Sequence, residues 1–245
     1  MSNSVSALLR TASCLAALIV TAAGLAALPA AATSETDCDG TIGRRMVERV
    51  VIPNGATCQL NGTTVRQNVV VGPGASLVTH NARLLGSVQA THGPRSVRLL
   101  DTNVRGNIHV RDARGTILIG NSGCGLDPSA GNNIHLVHNS GPIGLCKMTI
   151  RGNVHAINNT GTVFMRDNKV GNNLHAKGNR GGFLRLRENR VGTRSNGNLV
   201  VDGNRTDVRL RLNRASNHLV CRENRSISGF GNHAGEMRRQ CARLS

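Results

Sequence analysis

The sequence predicts an all-β chain wound as a right-handed parallel β-helix, a solenoid of about 20-residue coils with disulfide-linked ends. Three observations carry this. A unit recurs from residue 68 onward, apolar and polar residues alternate inside each unit, and aromatic side chains make up 1% of 245 residues.

The unit opens at Asn68-Val69, Ser87-Val88, Asn107-Ile108, Asn133-Ile134, Asn153-Val154, Asn173-Leu174, Asn198-Leu199 and His218-Leu219, at spacings of 19, 20, 26, 20, 20, 25 and 20. The longer steps carry insertions near 122–130 and 191–196. Self-similarity at a fixed period marks a repeat architecture. The period of two within each unit is that of a strand. Val69, Val88, Ile108, Ile134, Val154, Leu174, Leu199 and Leu219 form one inward column. A second strand follows, with Val97, Ile117, Ile143, Val163, Leu184 and Val208 in register, and a third short side holds Val104, Ile150, Val170, Val191 and Ala215. A left-handed coil would need a strict hexapeptide period, which this chain lacks. Coils stack ~4.8 Å apart, so eight of them span roughly 40 Å. Each coil buries its apolar residues only against its neighbours, so branched aliphatics replace aromatics in a narrow lumen. Asn139, Asn159, Asn179, Asn204 and Asn224 recur in register at a turn, where stacked amides can bond along the column as scaffold.

Residues 1–32 read as an export signal. Arg10 precedes an apolar run from Leu15 to Leu28, and Ala30-Ala31-Ala32 offers a cleavage site. The run is too short and too rich in Ala and Gly for a membrane span, and no later segment could cross a bilayer. The expected layout is therefore a signal at 1–32, an N-terminal cap and first coil at 33–66, the β-helix at 67–225 and a C-terminal cap at 226–245. The expected location is outside the cell or on its wall. Six cysteines remain: Cys38, Cys58, Cys124, Cys146, Cys221 and Cys241. An even count in an exported chain implies a disulfide framework. The repeat register favours Cys38–Cys58, Cys124–Cys146 and Cys221–Cys241, each closing a short loop between neighbouring coils or caps. Zinc is disfavoured because no Cys-x-x-Cys pair occurs.

The segment Val51-Ile52-Pro53-Asn54-Gly55-Ala56-Thr57-Cys58, the Gly-Asn-aliphatic coils and Leu219-Val220-Cys221-Arg222-Glu223-Asn224 resemble secreted β-helical proteins of high-GC bacteria. The resemblance covers roughly residues 37–241. It implies the fold and export and carries no assigned activity.

The charge is strongly basic: 30 Lys+Arg against 13 Asp+Glu give +17, and the cations are almost all Arg. Several of them fall in columns. Arg180, Arg205 and Arg225 follow the Asn ladder; Arg166, Arg187 and Arg211 form a second column, Arg185 and Arg209 a third, and Lys169, Arg190 and Arg214 a fourth. Stacked like charges repel and gain nothing without an anionic partner. Guanidinium forks suit carboxylate or phosphate polymers, so an anionic polysaccharide or similar polyanion is the expected partner of a monomeric chain. High-GC codon usage is the competing source of the arginines. The scarcity of aromatic faces argues against nucleic acid. His109, His135, His155 and His175 share one outward position in four successive coils, a weaker candidate for holding a metal. No cofactor is expected. A carbohydrate-active enzyme of the same shape is the alternative, but it needs grouped carboxylates. Asp101, Asp167 and Glu188 recur at one position among arginines that favour their ionised form.

Overall fold

The computed structural model describes residues 34–121 and 128–245. The expected signal segment and Cys124 lie outside the described residues. Alternating side chains build short strands with one sealed side. In Ile108–Arg111, Ile108 and Val110 are buried while His109 is half-exposed, and Ile117–Gly120 repeats this with Ile117 and Ile119 inside. Strands pair in parallel with their equivalents one coil on, which gives three faces. The first face includes Val88–Ala90, Ile108–Arg111, Ile134–Val137 and Val154–Ile157. The second stacks ten strands from Gly40–Ile42 to Ser226–Phe230. The third holds two-residue strands such as Asn103–Val104 and Lys169–Val170.

The predicted columns are true register partners. Val69, Val88, Ile108, Ile134, Val154, Leu174, Leu199 and Leu219 follow one another on the first face. Val97, Ile117, Ile143, Val163, Leu184 and Val208 do so on the second. Fully burying a Val, Leu or Ile contributes ~1.5–3 kcal/mol, so the columns form one continuous apolar core. No helix among the described residues is long and apolar enough to cross a membrane.

The solenoid continues beyond the eight recognisable units. Glu35–Asp37 and Gly40–Ile42 already pair with Arg49–Ile52 and Thr57–Asn61, inside the segment expected to hold the N-terminal cap and first coil. At the other end Ser226–Phe230 and His233–Arg239 extend the second and first faces. These end coils lack the Asn that opens six of the eight units, since Arg49 and Glu236 stand in its place.

Two corners share one device, a residue in the left-handed region followed by an inward Asn. Between the first and second faces, His138, Asn158, Gly178, Gly203 and Glu223 have φ between 52° and 64°. They precede Asn139, Asn159, Asn179, Asn204 and Asn224, all buried. The Nδ2 of Asn159 donates to Asn179 Oδ1 at 3.0 Å and to the Leu136 carbonyl at 2.9 Å. Its own Oδ1 accepts the backbone N–H and the Nδ2 of Asn139. Every amide atom is thereby satisfied where no water reaches. Leaving the second face, Asp167, Glu188, Leu212 and Gly231 have φ between 53° and 63°, and Asn168, Asn189, Asn213 and Asn232 form a second buried ladder. A third, half-buried row runs through Asn107, Asn133, Asn153, Asn173 and Asn198.

The C-terminal 3-10 turn Gln240–Arg243 closes the last coil. Gln240 terminates the first ladder, and the Leu244 carbonyl accepts from Asn232 Nδ2 at 2.9 Å. Two predicted disulfides are present. Cys38–Cys58 and Cys221–Cys241 join adjacent coils near opposite ends, with Cα separations of 5.4 and 5.2 Å. Cys146 is buried on the second face beside Gly120, and its expected partner Cys124 is not among the described residues.

Candidate anion-binding face

Strand alternation fixes which arginines face outward. In Phe183–Arg187 the side chains of Leu184 and Leu186 are buried, which leaves Phe183, Arg185 and Arg187 on the outer surface of the second face. Asp207–Arg211 repeats this with Val208 and Leu210 inside and Asp207, Arg209 and Arg211 outside. Arg185 pairs in register with Arg209, and Arg166 with Arg187 and then Arg211. Arg180, Arg205 and Arg225 stand exposed at the corner that enters the same face, each donating its backbone N–H to the preceding ladder Asn carbonyl. Lys169, Arg190 and Arg214 continue the basic surface on the third face. All four predicted columns are real neighbours.

Among the described residues, only Arg166 and Arg187 of these arginines lie within ion-pair distance of a carboxylate. Glu188 accepts from Arg187 at 2.9 Å and lies 3.5 Å from Arg166. Among the described residues, Arg180, Arg185, Arg205, Arg209, Arg211 and Arg225 have no carboxylate within ion-pair distance. Asp167 and Glu188, the acids an enzyme reading would use, occupy left-handed corner positions. Asp167 faces Lys147 at 4.0 Å, and Glu188 is bound to arginines. Asp101 and Asp167 suit such a corner because Asp tolerates that region, while Glu188, Lys147 and Leu212 adopt it as well, so the position does not select for acids.

Composition could not reveal where the aromatics sit. The chain has three Phe, no Trp and no Tyr, and all three Phe point outward on the second face beside these arginines. The Arg185 guanidinium lies 4.1 Å from the centre of the Phe183 ring, and that of Arg211 lies 5.2 Å from Phe230. Phe230 is 54% exposed, and Leu212 beside it is also exposed. Phe164 closes one side of a concavity of about 240 Å³ whose remaining walls are Arg185, Arg187, Arg209 and Arg211, with Leu186 at its base. The signal for this was present in the sequence as Phe164, Phe183 and Phe230 at outward positions of the second strand.

The histidine column is equally regular. Ring centres of His109, His135, His155 and His175 are 4.7, 4.8 and 5.0 Å apart, with the middle pair stacked at 17°. Partial burial lowers the affinity of His135, His155 and His175 for a proton, and neighbouring cationic rings lower it further for the first two. For His175 the second cause is Lys177. Facing rings can each lend a nitrogen, but among the described residues no group of three His, Cys, Asp or Glu is placed to hold a metal ion. Asp112 lies 3.9 Å from His138 at the neighbouring corner, outside the column.

Compared with known proteins, the chain matches no family model, no curated protein and no solved structure.

Proposed function

We propose that this is a secreted structural and binding β-helix, a monomer that engages an anionic polymer of the cell envelope or extracellular space through its arginine columns. The carrying observation is the set of six arginines along one face and its entry corner with no carboxylate partner among the described residues. In-register like charges destabilise a sheet, so such rows are best accounted for by an external counter-charge that repeats along a chain. Two buried disulfides and the leader-like sequence before residue 33 support export. The kinship with secreted β-helical proteins of high-GC bacteria belongs to the same proposal.

Salt dependence tests this reading. Binding to a polyanion column should weaken steeply as ionic strength rises, because screening cuts the reach of exposed charge to ~8 Å at physiological salt. Replacing Arg180, Arg205 and Arg225 together by Gln should reduce retention more than replacing three scattered arginines such as Arg44, Arg95 and Arg243. Equal losses would reduce the attraction to net charge without geometry.

A further inference from the structure

The geometry points to a discrete pocket for a phosphate or sulfate ester of a glycan chain, formed by Arg185, Arg187, Arg209 and Arg211 with Phe164 as its apolar wall. This rests on the reading of the chain as a polyanion binder and specifies the anion.

The pocket follows from strand geometry. Arg185 and Arg209 are register partners, as are Arg187 and Arg211, so the four guanidiniums leave the corners of a rectangle. Its sides are ~4.8 Å between coils and ~6.6 Å along a strand. Leu186 and Leu210 turn inward between them and are fully buried, which leaves backbone as the floor. Phe164 is the register neighbour of Arg185 one coil earlier. Beyond it stands Gly144, over which the Leu118 side chain leans. Stacking on Phe183 and Phe230 limits where Arg185 and Arg211 can swing. Arg187 shares Glu188 with Arg166, while Arg185, Arg209 and Arg211 have no carboxylate partner among the described residues.

The number of forks selects the anion. A carboxylate offers two oxygens in one plane and is satisfied by a single fork. Arg185, Arg209 and Arg211 bring three forks without a carboxylate partner among the described residues to one floor, which calls for a group with acceptors in three directions. A phosphate monoester supplies three oxygens and about −1.5 to −2 charge at neutral pH, and a sulfate ester supplies three oxygens as well. The concavity of about 240 Å³ is smaller than the ~300–1,000 Å³ that encloses a drug-sized ligand, so it takes one group of a larger molecule. Its opening on a flat face lets the rest of a chain run past. Phe164 offers a ring face to the sugar that carries the ester.

Single-stranded nucleic acid fits less well, because it wants stacking platforms for successive bases. Here the aromatics occupy three different columns, and Phe183 is already covered by Arg185.

Titration calorimetry on the purified protein at low ionic strength decides the matter, with four oligomeric probes and inorganic tripolyphosphate as a fifth. The oligomers are a sulfated heparin hexasaccharide, a carboxylate-only oligogalacturonate of equal total charge, a phosphomannose pentasaccharide, and a dodecamer of deoxythymidylate. Circular dichroism confirms that each variant is folded, since all the changed side chains point outward. Ester-bearing glycans should bind ~10-fold tighter than the carboxylate form at equal charge, and whichever ester gives the tighter arm names the source. Changing Arg185→Gln with Arg209→Gln should erase that preference, and Phe164→Leu should weaken the ester-bearing glycans while inorganic tripolyphosphate is unaffected. The inference is overturned if the preference survives the double change, if carboxylates bind as tightly as esters, or if the oligonucleotide binds tightest. Absence of any binding at low salt would instead sink the polyanion reading itself.

Discussion

The Oε1 of Gln240 accepts both the backbone N–H and the Nδ2 of Asn224, at 3.0 and 3.1 Å, and its Nε2 donates back to the Asn224 carbonyl at 2.9 Å. One longer side chain thus stands in for the Asn of a coil that does not exist. The ladder that begins at Ala113, whose N–H donates to Asn139 Oδ1, is closed without leaving a buried donor unpaired. The last coil is held by a matched end.

Gln240 should therefore matter more than its place near the chain end suggests. Gln240→Ala strips the acceptor from two donors, and each unsatisfied buried group costs ~1–3 kcal/mol. Gln240→Glu keeps the acceptor and loses only the return bond, so it should cost less. Denaturant unfolding of both variants checks the order, and equal stability would show that water replaces the cap.

Position within the ladders sets the cost of losing an amide. Asn179→Ala leaves the Asn159 N–H and Nδ2 without their acceptor in a dry corner and should destabilise by ~3 kcal/mol. Asn153→Ala interrupts the half-buried row, where water can substitute, and should cost ~1 kcal/mol. Comparable losses would contradict the burial difference between the rows.

Stability should fall on mild acidification. The folded state lowers the proton affinity of His135, His155 and His175 below the usual 6.5, so between the folded and unfolded pKa values the unfolded chain binds more protons. The stability contribution is then fully present above pH 6.5 and shrinks as pH drops through the lowered folded values. A melting-temperature profile from pH 8 to pH 5 should slope downward below 6.5, and His155→Gln should flatten it. A profile with the same slope in that variant would remove the column as its cause.

The end staples are open to direct mapping. Non-reducing peptide analysis should recover Cys38–Cys58 and Cys221–Cys241, each spanning 20 residues, and will show whether Cys146 pairs with Cys124 as the repeat register predicts. Loss of either staple, for example in Cys221→Ser, should lower stability by about 3 kcal/mol, the value expected for a loop of this length. A link joining opposite ends would refute the coil register.

Much of the fold was legible because two periods coincide in it: two residues within a strand and about twenty between coils. Val88, Ile108 and Ile134 share both periods and are register partners. The second buried ladder is hidden in the sequence because Asn168, Asn189, Asn213 and Asn232 step by 21, 24 and 19, less regularly than the Asn139 series. The shared position of Asp101, Asp167 and Glu188 has a feature that a sequence does not display: all three occupy left-handed corners. The aromatic fraction of 1% argued against stacking surfaces, since a count carries no position. Phe164, Phe183 and Phe230 fall together only when the coils are stacked.

The ladders also make the molecule indifferent to its own length. Every internal Asn of the two buried ladders meets the same surroundings, an acceptor one coil on and donors one coil back, so the cap recognises an Asn-bearing corner and not a particular coil. Residues 154–173 make one whole coil. Removing them would join Asn153 to Leu174 with every column still in phase, and duplicating them would lengthen the arginine face by one step. Growth or shrinkage by whole coils is thus nearly neutral for folding, while it changes how many anionic groups a single chain can span. The fold leaves that number free to vary.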